Sequence, residues 1–195
     1  MRDLLQKNMK TNSREKILEK SAKLFGEFGF FGTSMGKIAQ SLHITKAALY
    51  YYFKSKKELY LEVLKRTSQK LINSLKNLET LGSEKALSEA IKKYLEWGTK
   101  ERNLIKAQTL QFPKSELKMR TNIQKLRRTI EKQFEEIFKD FLTKEIDLKI
   151  FIPFLLGMMD RMILEAAFLR KKLNIKQKTS QILKILNPIL KVATK

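Results

Sequence analysis

Apolar side chains recur at three- and four-residue spacings along almost the whole chain, and little interrupts them. Only three prolines and seven glycines occur in 195 residues. This spacing puts apolar groups on one face of a 3.6-residue helix, and so few turn formers do not suit a many-stranded sheet. The fold class that follows is all-α. A first helix is expected over 13–28, with Asn12 as N-cap, Glu15 as its reciprocal partner and Gly29 as its stop. A short second helix follows Ser34, with Met35, Ile38, Ala39 and Leu42 on its inner stripe, and the break "HIT" leads to a third at about 45–51. Ser55 and Glu58 form the caps of a fourth helix running to about Gly82. Further helices are expected at 84–98, 103–112, 115–142, 147–172 and 176–192. Pro113 separates two of them, and Pro153 kinks another or marks its first turn.

Charge narrows the partner. Lys and Arg number 41 against 20 Asp and Glu, a net charge of +21. Such an excess suits polyanions, nucleic acid first and an acidic membrane surface second. It is spread along the chain: residues 1–57 hold 12 cations and 4 acids, and the rest hold 29 and 16. Most of it therefore reads as solvated surface that steers association. There is no cysteine and one histidine, which excludes disulfides, thiolate catalysis and cysteine-ligated zinc, and leaves no Ser-His pair or zinc cluster of the usual kind. No catalytic residue, metal or cofactor is expected. The opening "MRDLLQKNMKTNS" lacks a signal-peptide core, and the apolar run "IFIPFLLGMM" at 150–159 is half a membrane span. The cytoplasm and no membrane partner are the expectation.

The informative stretch is "ITKAALYYYFKSK" at 44–56. On a helix, Ile44, Leu49 and Phe53 point inward together. Lys46, Ala47, Tyr50, Tyr51 and Lys54 then share the outward face, small at its start and aromatic at its end. A small residue admits the backbone to base edges, and tyrosine rings pack on sugars and thymine methyls while their hydroxyls bond phosphate. Tyr52, beside Phe53, reads equally as a packing residue. Short helix, tight turn, short helix is the helix-turn-helix arrangement, whose second helix enters the major groove.

From Arg14 to about Leu64 the chain resembles the TetR-type transcriptional regulators. The marks are "LFGEFGF" ending the first helix, "TSMGKIA" opening the second, and "LYYYFKSKKELY" joining the third and fourth. The resemblance implies an N-terminal helix-turn-helix DNA-binding domain over 1–57 and a helical effector-binding and dimerisation domain over 58–195. It implies phosphate contacts for Thr33, Ser34, Tyr50 and Lys56, base and backbone contacts for Thr45, Lys46, Ala47 and Ala48, and variable DNA contacts for Tyr51 and Tyr52. Lys56 also begins a helix, where free N–H groups favour anions. His43 stands where the family usually has glycine, and is expected in a left-handed turn that histidine tolerates.

The resemblance further implies a homodimer, with the helices near 147–172 and 176–192 pairing with their symmetry mates. The first of these is apolar on nearly all sides, which suits burial on several faces. Leu186 is expected in that bundle, and Asp160, Arg161 and Glu165 are expected at its edge or paired with each other. The family's middle helices enclose an effector pocket. Tyr94, Trp97, Leu104, Phe112, Met119, Ile123, Phe154, Met158 and Met162 are the candidates to line it, although the same side chains also fill ordinary cores. A double-stranded DNA operator and a hydrophobic small molecule are the expected partners of a repressor. The rival is an architectural DNA-binding protein of the same fold without an effector.

Overall fold

Helix α1 (Arg2–Gly32) leads into α2 (Met35–Ser41), α3 (Lys46–Tyr52) and α4 (Lys56–Leu75). After a 3-10 turn at Leu78–Thr80 come α5 (Ser83–Lys100), α6 (Leu117–Phe138), α7 (Leu148–Phe168), α8 (Ile175–Leu186) and a 3-10 turn at Asn187–Ile189. This computed structural model describes residues 2–81, 83–103, 105 and 117–190. Most of the expected helix at 103–112, and Pro113, lie outside them. Two expected ends move. The first helix begins at Arg2, not near Asn12, because nothing in "RDLLQKNMKTN" breaks a helix. It departs from helical geometry at Gly29 (φ 69°, ψ 175°), a conformation that costs glycine little. The fourth helix stops at Leu75, short of Gly82, where Asn77 turns left-handed (φ 62°).

The chain packs as two units, one of residues 1–67 and 103–123, the other of 68–102 and 124–195. The packing boundary falls inside α4, ten residues beyond position 57. In the first unit, Phe25 and Tyr60 are fully buried, with Tyr60 edge-on to Phe25 at 4.8 Å and to Phe30 at 5.2 Å. Each such ring contributes about 1.5–3 kcal/mol of burial. Arg14 reaches Glu62 and Arg66 reaches Glu15, both at 2.7 Å, so α1 and α4 are cross-linked in both directions.

In the second unit α5 packs on α7 and α8. Ala86, Leu87, Ala90, Ile91 and Leu95 form its buried stripe. It meets α7 tightly at Gly98, where a built Cβ would lie 2.2 Å from Cδ1 of Ile163. One polar cluster interrupts this core. The Tyr94 hydroxyl donates to Asp160 at 2.6 Å and accepts from Arg127 at 2.6 Å, and Arg127 also meets Asp160 at 2.9 Å. Asp160 therefore pairs across helices with Arg127, not with Arg161 or Glu165 as its sequence neighbourhood suggested. Burial raises the Asp160 pKa, with Arg127 opposing, and burial together with Asp160 raises that of the Tyr94 phenol.

Leu186 also departs from expectation. It is 3% exposed, together with Ile182 on the inner face of α8, and belongs to the core of its own chain. The large apolar residues left outside on these two helices are Ile150 (72% exposed), Phe154 (70%) and Phe168 (52%) on α7 and Ile185 (63%) on α8.

Candidate nucleic-acid interface

Local capping fixes the geometry of α2 and α3. Ser34 caps α2 by accepting from the N–H of Lys37 at 3.1 Å, and Thr45 caps α3 by accepting from the N–H of Ala48 at 3.1 Å. Between them His43 takes φ 55°, the left-handed turn expected of it, and the N–H of Ile44 returns to the Ala39 carbonyl at 3.1 Å. Leu49 and Phe53 are fully buried and hold α3 down. Its other face is open: Lys46, Ala47, Tyr50 and Tyr51 are exposed, while Ala48 and Tyr52 are half-buried. Tyr52 packs edge-on against Tyr51 at 5.3 Å.

Two residues stand apart from this face. Thr33 is 1% exposed, and its hydroxyl donates to the carbonyls of Gly29 (2.8 Å) and Leu24 (3.1 Å). It braces the end of α1, so the expectation that its hydroxyl meets phosphate is corrected. Lys56 is also drawn toward the end of α1. Its ammonium donates to the carbonyls of Phe30 and Thr33, both at 2.9 Å, and lies 4.3 Å from the centre of the Phe30 ring. Carbonyls left over at the end of a helix need donors, and the first residue of α4 supplies one. Burial lowers the pKa of this amine. Lys56→Ala is therefore expected to destabilise the fold by about 2 kcal/mol, the scale of charge-assisted bonds lost. Urea unfolding measures it, and an unchanged midpoint would contradict the role.

Gly36 and Lys37 are members of the site that sequence reasoning missed. A Cβ at Gly36 would lie 2.8 Å from Cε of Lys46, 3.4 Å from its Nζ and 3.8 Å from the Ser34 hydroxyl oxygen. The stem of Lys46 thus leans back across α2, and its ammonium stands on the same side as Ser34. Lys37 sits 3.1 Å above the ring of Phe28. Only the absence of a side chain at 36 could have signalled this contact.

The candidate effector set does not assemble into one described cavity. Leu104 and Phe112 lie outside the described residues. Met119 and Ile123 belong to the first unit, and Tyr94, Trp97, Phe154, Met158 and Met162 to the second. Phe154 faces outward, and Tyr94 is occupied by Asp160 and Arg127. Trp97 lines a cleft of about 240 Å³ with Lys70, Leu71, Ser74, Lys93, Glu96, Lys100 and Glu101. No described helix is long and apolar enough to cross a membrane.

An all-α protein with a capped helix-turn-helix and an outward face of small, cationic and tyrosine side chains is the class these features define. Residues 17–63 match the family model described as bacterial regulatory proteins, tetR family. Over these residues the chain is similar to the TetR family. It is 44% identical over 52 residues to the biofilm operon icaADBC HTH-type negative transcriptional regulator IcaR of Staphylococcus aureus, covering 27% of this chain and 28% of that one. It is 31% identical over 100 residues to the HTH-type transcriptional regulator YttP of Bacillus subtilis, covering 49% and 48%. The chain thus matches less than half the length of either relative. Among solved structures, a transcriptional regulator of Aquifex aeolicus is 27% identical with a TM-score of 0.70, over 89% of this chain and 98% of that one. The transcriptional regulator FadR of Bacillus subtilis, solved in complex with stearoyl-CoA, is 17% identical with a TM-score of 0.78, over 88% and 96%. That likeness is one of fold.

Proposed function

We propose that the chain is a homodimeric, cytoplasmic transcriptional repressor. It binds a palindromic operator through α3 and is released by a hydrophobic small molecule; it catalyses no reaction. The observation that carries the DNA reading is the division of α3: Leu49 and Phe53 are fully buried, while Lys46, Ala47, Tyr50 and Tyr51 are presented outward. In this reading Ser34, Thr45, Lys46 and Tyr50 meet phosphates, and Ala47, Ala48 and Tyr51 lie toward the bases. That the S. aureus relative is a negative regulator supports repression over activation.

Dimerisation is supported by the outer surface of the second unit. Ile150, Phe154 and Gly157 recur at i, i+4 and i+7 on α7. A Cβ at Gly157 would meet nothing of its own chain within 4 Å. A glycine inside a helix costs about 1 kcal/mol relative to alanine, and no intrachain contact requires one here. A second copy of α7 crossing closely at Gly157 would. The effector reading leans on half-buried Met158 and Met162 and on the cleft beside Trp97.

Quantitative binding to a panel of duplexes tests the DNA reading. Tyr50→Phe is expected to weaken every duplex about tenfold, the scale of one hydrogen bond to a charged group. Ala47→Gln is expected to change the order of preference among duplexes. If both substitutions scaled all sequences alike, α3 would not be the reading helix.

A further inference from the structure

Residues 28–57 carry five lysines and no Asp or Glu. Two of the five are turned onto their own chain: Lys56 donates to the carbonyls of Phe30 and Thr33, and Lys37 lies 3.1 Å from the centre of the Phe28 ring. Lys46, in the first turn of α3, is exposed and makes no ion pair among the described residues. What its stem rests against is Gly36 of α2, in the same packing unit.

No backbone demand calls for glycine at 36. The residue lies inside α2 and is not left-handed, as Gly29 is, and in a helix interior only proline is less favourable than glycine. A side chain is excluded instead by Lys46. A Cβ at 36 would lie 2.8 Å from its Cε and 3.4 Å from its Nζ, with Oγ of Ser34 at 3.8 Å. The bare Cα is therefore a floor for the lysine stem, and it brings the Lys46 ammonium and the Ser34 hydroxyl within 4 Å of one point. Ser34 is exposed; its oxygen accepts from the N–H of Lys37, and its proton is left to donate. Two donors so placed reach two oxygens of one phosphate.

We propose that Gly36 is a positioning residue for DNA: it seats Lys46 across α2, so that Lys46 and Ser34 clamp a single phosphate between α2 and α3. This rests on the reading of α3 as the DNA-binding helix. The clamp itself carries no sequence information, since a phosphate is the same at every step; it fixes the register at which α3 enters the groove. It also withdraws the Lys46 ammonium from the base edges and leaves them to Ala47 and Tyr51. A methyl group at 36 would push the stem of Lys46 off α2 and open the clamp while leaving both donors in the chain.

The test uses the full-length protein and the best-bound duplex of the panel above, with affinity measured against salt. Gly36→Ala should melt no lower than the wild type, because the exposed lysine stem swings aside and alanine favours a helix. It should nevertheless bind about tenfold more weakly, the scale of one hydrogen bond to a charged group. Its slope of log K against log salt should be shallower by about 0.9 for each chain bound. Lys46→Ala should match it, and the two substitutions together should lose no more than either alone. Ser34→Asp keeps the N-cap but sets a carboxylate in the clamp, and should weaken binding at least as far. Additive losses in the double variant, a Gly36→Ala protein that binds as the wild type or melts lower, or a Ser34→Asp protein that binds as the wild type would overturn the proposal. Tyr50→Phe separates the two readings. If it weakens binding while Gly36→Ala does not, the clamp alone fails; if it too has no effect, α3 is not the DNA-binding helix and the clamp falls with it.

Discussion

Phe154→Glu combined with Ile150→Glu is expected to yield a folded monomer that binds operator at least 100-fold more weakly than the wild type. Both side chains are about 70% exposed on α7, so a carboxylate at either position meets water in the isolated chain. In a dimer the same carboxylates would be buried against apolar surface, where an unpaired charge is not tolerated. Operator affinity follows from assembly, because joining two half-site readers makes the second binding event intramolecular and multiplies affinity by 10²–10⁴. Leu186→Glu is a different experiment. It places the charge in the core beneath α8, where Leu186 is 3% exposed, and is expected to unfold the second unit. Sedimentation velocity with circular dichroism separates the two outcomes. A Phe154/Ile150 variant that stays dimeric would remove α7 from the interface.

Gly98→Ala is expected to lower stability by about 1–3 kcal/mol, the range for overpacking a filled core. In a helix interior this substitution alone would gain about 1 kcal/mol. The opposite sign is expected because the new methyl would lie 2.2 Å from Cδ1 and 3.1 Å from Cγ1 of Ile163. Removing the obstructing methyl should reverse it: Gly98→Ala with Ile163→Val is expected to be more stable than Gly98→Ala alone. Denaturant midpoints for the four proteins of this cycle give the coupling. Additive effects would mean that α5 and α7 do not meet at this pair.

Much of the interface was legible in the sequence because it is built from short-range rules. Ser34, Thr45 and Ser55 act as caps whose partners lie three residues on. His43 sits in the left-handed turn that its place between two helices demands. Glu58 accepts from the N–H of Lys54 at 2.8 Å, one residue before its expected partner, Ser55. Long-range packing was less readable. That Lys56 turns inward depends on carbonyls 26 and 23 residues earlier, and that Asp160 meets Arg127 and Tyr94 depends on three helices. No local pattern encodes either contact. On α8 the residues Ile182, Leu183, Ile185 and Leu186 offer apolar groups on more than one face. Periodicity could not decide that Leu186 turns inward while Ile185 remains 63% exposed. The middle-helix aromatics and methionines were the weakest signal, since core and cavity call for the same residue types.

The central claim, that α3 and its copy in a second chain read a palindrome, is tested most directly by selection from a random duplex library with the full-length protein. The expected product is an inverted repeat whose half-site centres are about 34–36 Å apart, or a multiple of that spacing. Ala47→Gln is expected to shift the selected bases within each half-site. Enrichment of no palindrome, with retention governed by salt alone, would contradict the repressor reading and favour an architectural DNA-binding protein.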